Sequence, residues 1–147
     1  MKQIKSLGRL FAFKFLYDRD IDQLLSLDED QWSELMESFA ESYVAPDEEH
    51  TDNDLPDEAL FFGDRMIRVV LERKEEFTEK LKPLLGKRKL ENLDHFEKIV
   101  LLLGCAEILL RKTPRKVVID EYVEMAKNYG KERSFRFING VLDKVKA

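Results

Sequence analysis

Apolar residues recur at the three- and four-residue spacing of an α-helix along nearly the whole chain of 147 residues. No stretch shows the alternation of apolar and polar residues that is typical of a half-buried strand. Seven helices are predicted, at about residues 3–18, 30–44, 57–73, 77–85, 95–111, 114–130 and 134–145. There is no internal repeat and no linker long enough to divide the chain. The pattern therefore predicts an all-α fold, a single compact domain over residues 1–147 with about seven helices.

The predicted helix over residues 95–111 is apolar on nearly all sides, so we expect it to be the buried centre of the fold. Asp94 and Glu97 have the spacing of a capping box at its start. Cys105 is predicted to be a packed core thiol, because a reactive cysteine needs an electropositive, partly exposed environment. Glu107 interrupts the apolar surface. It is either a buried, hydrogen-bonded structural residue, the interpretation we favour, or a contact to a partner.

The predicted last helix begins at Ser134, which we expect to be its capping residue. Asn139-Gly140 would favour a hairpin turn by local rules. Apolar residues continue at helical spacing on both sides of this pair, at Ile138, Val141, Leu142 and Val145. A continuous helix is therefore predicted, in which the small Gly140 would permit close packing.

The chemistry-bearing residues argue against an enzyme. The six glycines form neither a dinucleotide-binding pattern nor a P-loop. One cysteine excludes a disulfide framework, and two histidines leave little for a metal centre. We predict no catalysis, no metal and no cofactor. The longest apolar run, residues 99–103, is too short for a membrane span, and the N-terminus lacks a signal-peptide core, which together predict a cytoplasmic protein.

Charge is distributed very unevenly along the chain. Residues 21–60 carry fourteen acidic and no basic side chains, so the rest of the chain is +9 although the total is −5. A polyanionic partner is therefore compatible with the acidic composition, and solvated helix faces explain the pattern equally well. Residues 45–57, APDEEHTDNDLPD, are predicted to form an exposed loop.

Basic and aromatic side chains share one stripe of the predicted first helix. Lys2, Lys5 and Arg9 fall within an arc of about 60°, given 3.6 residues per turn, and Phe13 and Tyr17 prolong the stripe. Phosphates need cations and unstacked bases need flat partners, so the stripe suits single-stranded nucleic acid. The edge of a hydrophobic core would explain the same residues at least as often.

Four segments carry the signatures of a known family. They are residues 116–130, KVVIDEYVEMAKNYG; 137–144, FINGVLDK; 95–109, HFEKIVLLLGCAEIL; and 8–17, GRLFAFKFLY. Together they resemble the NusB transcription antitermination family, strongly after residue 94 and patchily before it. The resemblance implies a small all-helical protein that binds single-stranded boxA RNA together with NusE, a small-subunit ribosomal protein. It also implies a place in the machinery that keeps RNA polymerase transcribing, notably over ribosomal RNA operons.

The resemblance also implies site residues. Arg9 matches the last arginine of the family's arginine-rich first helix, Tyr17 a tyrosine at the helix end, and Phe137 the aromatic before Asn-Gly. We expect one RNA-binding surface, made by the first helix and the start of the last. Its candidate residues are Lys2, Lys5, Arg9, Tyr17, Arg133, Arg136 and Phe137. Glu97 and Glu107 are the candidate partner contacts.

Some positions depart from the family pattern. Ser6, Leu7 and Leu102 stand where relatives commonly carry basic residues, and Arg133 stands where some are acidic. The change at Arg133 adds positive charge, whereas the substitutions at Ser6, Leu7 and Leu102 favour a second hypothesis, a protein-only adaptor on the same helical scaffold with RNA binding weakened or lost. A third, the helical domain of a ribosomal RNA methyltransferase, is disfavoured because no βαβ pattern or glycine-rich loop for S-adenosylmethionine occurs here.

Overall fold

The computed structural model describes residues 3–45 and 54–146. Over these residues the chain forms α-helices, two short 3₁₀-helices and no strand, so the all-α prediction is confirmed. The α-helices are α1 (Ile4–Tyr17), α2 (Ile21–Leu25), α3 (Glu29–Val44), α4 (Asp57–Glu72), α5 (Lys74–Leu81), α6 (His95–Leu110), α7 (Arg115–Tyr129) and α8 (Ser134–Asp143). The 3₁₀-helices are Lys82–Leu84 and Leu90–Asn92.

The chain divides into two compact units, Met1–Leu71 and Glu72–Ala147, called here the N-terminal unit and the C-terminal unit. Sequence patterning did not indicate this division, and the single domain over residues 1–147 stays a prediction. Most of the predicted loop over residues 45–57 lies outside the described residues. Within the described part of the chain, no helix is both long and apolar enough to cross a lipid bilayer.

Helix α2 is the element that the periodicity missed. It has five residues, too few for an apolar repeat to be recognised. The carboxylate of Asp20 caps it by accepting a hydrogen bond from the Asp22 backbone N–H at 2.9 Å. Leu24 is its buried residue. The predicted helices agree with α1 and α3–α8 to within a few residues at each end.

An aromatic cluster forms the core of the N-terminal unit. Phe11 and Phe15 of α1 are both fully buried. The Phe11 ring centroid lies 5.2 Å from those of Phe39 and Tyr43 in α3. The Phe15 ring contacts Phe39 at 5.3 Å and Trp32 at 5.6 Å. Tilted and edge-to-face ring pairs at these separations are favourable beyond the area that they bury, so they hold α1 against α3.

Two glycines bring α1 and α4 into close contact. A Cβ atom added at Gly8 would lie 2.7 Å from the carbonyl oxygen of Ala59. One added at Gly63 would lie 2.9 Å from the carbonyl oxygen of Gly8. Real Cβ atoms do not approach backbone oxygens this closely, so both positions require glycine at the observed helix separation.

Helix α6 is the centre of the C-terminal unit, as predicted. Every residue from Ile99 to Ile108 is buried. Gly104 allows α8 to pack closely against α6, because a Cβ atom at Gly104 would lie 2.8 Å from a methyl carbon of Leu142 in α8.

Helix α8 runs without a break through Asn139 and Gly140, which confirms the continuous helix. The prediction of close packing at Gly140 is wrong, because a Cβ atom there would meet nothing within 4 Å. Arg133 occupies the capping position with a left-handed backbone (φ 77°), and Ser134 is the first helical residue, so the prediction of a Ser134 cap is also wrong.

Candidate nucleic-acid interface

The predicted RNA-binding residues are divided between the two units. Lys5, Arg9 and Tyr17 belong to α1 of the N-terminal unit, whereas Arg133, Arg136 and Phe137 lie at the start of α8 in the C-terminal unit. Lys2 lies outside the described residues.

The expectation that Arg9 projects from α1 is wrong. Its side chain is 1% exposed, and its guanidinium carbon lies 5.6 Å from the centroid of the Phe62 ring in α4. The Phe62 ring belongs to α4, which approaches α1 closely at Gly8 and Gly63. A side chain enclosed in this way supports the helix pair and is not presented to a phosphate.

The rest of the α1 stripe is partly buried as well. Phe13 is 5% exposed, which makes it a core residue. Lys5 is exposed, with its ammonium nitrogen 5.8 Å from the centroid of the Phe62 ring. Tyr17 is 42% exposed and its ring lies 5.3 Å from that of Phe13. Lys5 and Tyr17 are thus the members of the described stripe that face solvent.

Cations and aromatic rings alternate around the first turn of α8. Arg133 and Arg136 are exposed. The Arg136 guanidinium carbon lies 5.7 Å from the centroid of the Phe135 ring, and the Lys127 ammonium nitrogen lies 5.3 Å from the same ring. Cation–π contacts of this kind keep the positive groups beside flat apolar surfaces.

Phe137 is half-buried, and one of its contacts is a cation that sequence analysis missed. The guanidinium carbon of Arg88 lies 4.2 Å from the centroid of the Phe137 ring. A signal was present in the sequence, since Arg88 is the middle residue of the basic triplet Lys87-Arg88-Lys89 after Gly86. Nothing in the sequence pairs that triplet with α8.

Glu97 holds Arg88 in place. Glu97 is 5% exposed, and its carboxylate accepts hydrogen bonds from Arg88 Nη2 at 3.0 Å and from Ser134 Oγ at 3.2 Å. The predicted cap of α6 is present, because Asp94 accepts from the Phe96 backbone N–H at 2.7 Å. The Glu97 carboxylate, however, is committed to Arg88 and Ser134. The expectation of an exposed partner contact at Glu97 is contradicted by its burial.

Glu107 is buried in the same unit. It is 3% exposed and accepts a hydrogen bond from the Tyr122 hydroxyl at 3.0 Å. A buried carboxylate with an internal donor is stabilised without a partner protein. The structural interpretation of Glu107 is therefore supported, and an exposed partner contact at this position is contradicted.

Comparison with known proteins decides the family. Residues 7–147 of the chain match the NusB family. The chain belongs to the NusB family. Over 95 residues it is 42% identical to the transcription antitermination protein NusB of Pseudoalteromonas atlantica, a match covering 64% of this chain and 67% of that protein. Over 136 residues it is 27% identical to the NusB of Clostridium novyi, covering 92% of each chain. A solved structure of T. maritima NusB has the same fold, with a TM-score of 0.75 and 29% sequence identity. The match covers 99% of this chain and 92% of that chain.

Two departures from the NusB pattern lie in the core of this family member. Leu7 is 7% exposed and Leu102 is 1% exposed. Both positions are occupied here by packed apolar side chains, so neither offers a cation to a ligand.

The cysteine of this NusB-family chain is packed in the core, as predicted. Cys105 is fully buried in α6, and this burial raises the pKa of its thiol to about 11. Because the thiolate is the form that attacks electrophiles and binds metals, burial and a raised pKa both disfavour such reactions at Cys105. Within residues 3–45 and 54–146, no group of three His, Cys, Asp or Glu side chains could hold a metal ion.

Proposed function

We propose that this chain is a non-catalytic transcription antitermination protein that binds single-stranded boxA-type RNA together with NusE. In this proposal the complex acts on elongation by RNA polymerase, notably at ribosomal RNA operons, in the cytoplasm. The observation that carries it is the alternation of exposed cations and aromatic rings at the first turn of α8, in a chain that belongs to the NusB family.

The first turn of α8 offers both kinds of group that single-stranded RNA requires. Arg133 and Arg136 are exposed and supply charge for phosphate oxygens. The planar guanidinium of Arg88, backed by the Phe137 ring at 4.2 Å, provides a surface on which an unpaired base can stack. The carboxylate of Glu97 helps to position that guanidinium by accepting its hydrogen bond.

The N-terminal unit contributes less in this proposal than the sequence indicated. Lys5 supplies a cation and Tyr17 an aromatic ring, both exposed. Arg9 acts as a support for the contact of α1 with α4. Few cations are therefore in reach of the RNA, and binding in isolation is expected to be modest. Because linked binding sites reinforce each other reciprocally, NusE is expected to raise the RNA affinity.

Fluorescence anisotropy with labelled boxA-like RNA and a scrambled RNA, with and without NusE, tests the proposal. We expect a preference for the boxA-like RNA that strengthens with NusE, and a salt slope of roughly −0.7 per neutralised phosphate. Arg133→Glu and Arg136→Glu should each weaken binding. Lys116→Glu is the matched control, because Lys116 is an exposed cation in the first turn of α7, far along that helix from Lys127. Equal binding by all three variants would contradict the assignment of α8.

One observation favours the protein-only adaptor as a second candidate. Arg9 is buried, and Leu7 and Leu102 are packed apolar residues, so three positions of the implied basic surface offer no exposed charge. The adaptor hypothesis predicts that NusE binds with no RNA present and that boxA-like RNA does not bind even when NusE is added. Detectable, NusE-dependent RNA binding would exclude it.

A further inference from the structure

A groove lies between α3 and α4 in the N-terminal unit, with a volume of about 490 Å³. Trp32, Met36 and Ala40 line one side at intervals of four residues, so they form a single ridge of α3. That ridge is about 12 Å long at 1.5 Å per residue, or two helical turns. Leu60 and Phe61 of α4 line the other side. The groove therefore has an apolar floor of the length and shape that a third helix can occupy.

The groove is held open by a polar network at one end. The indole Nε1 of Trp32 donates a hydrogen bond to Asp64 at 3.0 Å, and Arg68 donates to the other oxygen of Asp64 at 3.0 Å. Arg68 also donates to Glu29 at 3.0 Å and lies 4.9 Å from the Trp32 ring. Both helices are tied to the same side chains, so the groove is formed before any ligand binds, which lowers the entropic cost of binding.

Phe61 stands at the edge of this groove and is 74% exposed, more than any other large apolar side chain of the described residues. A single exposed apolar residue needs no explanation. An exposed aromatic ring that continues the floor of a preformed groove has the properties of an interface anchor, because aromatic side chains in such positions carry much of the binding energy of protein interfaces.

The charge of the groove selects its ligand. Glu37, Glu41 and Asp57 line it and are exposed. Its one cation, Arg68, is already paired with Asp64 and Glu29. A negative groove repels RNA phosphates, so this surface is separate from RNA binding. It attracts lysine and arginine side chains placed beside an apolar stripe.

We infer that the α3–α4 groove is a docking site for an amphipathic helix of a partner protein, with bulky apolar residues on one face and lysine or arginine residues flanking them. This inference goes beyond the proposed RNA-binding function and does not depend on it. A second copy of this chain is a poor occupant, because a two-fold contact through the groove would place the two acidic rims against each other.

Fluorescence anisotropy of a labelled peptide with the full-length protein tests the inference. The probe is a designed helix of about four turns with leucines along one face and lysines beside them, and a second peptide carries glutamates in place of the lysines. The variants are Phe61→Ser and the double variant Glu37→Lys, Glu41→Lys. The matched controls are Leu25→Ser, which removes another half-exposed apolar residue, and the double variant Glu34→Lys, Glu58→Lys, in which two exposed acids outside the groove are reversed.

We expect the lysine peptide to bind, the glutamate peptide not to bind, and each groove variant to weaken binding by about tenfold or more, while the controls stay within about twofold of the wild type. Circular dichroism of each variant checks that it is folded. Failure of the lysine peptide to bind, or an equal loss in the control variants, overturns the inference. A dimer seen by light scattering that Phe61→Ser dissociates also overturns it, since the second copy would then be the occupant.

Discussion

The guanidinium carbon of Arg88 lies 4.2 Å from the centroid of the Phe137 ring, and the guanidinium Nη2 donates a hydrogen bond to the carboxylate of Glu97 at 3.0 Å. Sequence analysis identified Phe137 as a candidate RNA-binding residue at this position, without the Arg88 cation beside it. The structure instead shows a cation against the Phe137 ring, which makes the two side chains a composite surface. Arginine is better suited than lysine to such a position, because its planar group can stack on the ring and under a base at once.

The variant Arg88→Lys therefore separates charge from shape. It keeps the positive charge but loses the plane, so we expect RNA affinity to fall by about tenfold, within the range measured for loss of one stacked base. The dependence of affinity on salt should stay unchanged, since no phosphate contact is removed. Binding of Arg88→Lys at wild-type affinity in an anisotropy titration would show that stacking at this position plays no part.

Arg9→Glu should destabilise the fold. The side chain is 1% exposed, so the variant places a carboxylate in a site built for a guanidinium against the Phe62 ring. We expect the free energy of unfolding in urea to fall by about 3 kcal/mol or more. Lys5→Glu, at an exposed position one turn earlier, should cost less than about 0.5 kcal/mol. Similar urea midpoints for the two variants would contradict the burial of Arg9.

Gly8→Ala and Gly140→Ala should have opposite effects. A methyl group at Gly8 would lie 2.7 Å from the Ala59 carbonyl oxygen, so α1 and α4 must separate, at a cost of about 2–3 kcal/mol. A methyl group at Gly140 meets nothing within 4 Å and replaces glycine inside a helix, which should stabilise by about 0.5–1 kcal/mol. Thermal denaturation of the two variants compares them directly, and a stabilised Gly8→Ala would be inconsistent with this helix contact.

Leu101→Ala tests the central position of α6. The side chain is fully buried, so truncation should reduce the free energy of unfolding by about 2–5 kcal/mol through lost transfer energy and the cavity left behind. Leu25→Ala is the matched control, because Leu25 is 51% exposed. An unchanged urea midpoint for Leu101→Ala would contradict the assignment of the buried helix.

Burial of Cys105 makes stability sensitive to alkaline pH. Its pKa is raised from 9.0 to about 11, so the unfolded chain loses the thiol proton at lower pH than the folded chain does. The stabilising contribution is complete below pH 9 and is lost as pH rises toward 11. The fall in unfolding free energy across this window should be shallower in Cys105→Ala than in the wild type. Parallel curves for the two proteins would refute the coupling.

The helices could be predicted because their apolar spacing is local information. The burial of Arg9 could not be predicted, because on α1 alone its position joins the basic stripe, whereas the Phe62 ring that it contacts belongs to α4. The contacts of Glu97 could not be predicted from the local sequence either. Its spacing from Asp94 fits a capping box, yet its carboxylate is taken by Arg88 and Ser134, which come from other parts of the chain. Sequence patterns identified the elements, while tertiary contacts decided which polar side chains are available to a ligand.

Trp32, whose indole lines the α3–α4 groove, is the one tryptophan of the sequence. The tryptophan fluorescence of the protein, excited selectively over that of its tyrosines, therefore originates in the N-terminal unit, next to the hydrogen bond that the indole donates to Asp64. Its emission can follow occupancy of the groove without any attached dye. In denaturant it follows unfolding of that unit alone, whereas far-ultraviolet dichroism follows the helices of both units. Coincident unfolding curves from the two signals would show that both units unfold in one cooperative transition. Curves with different midpoints would show that the two units unfold separately.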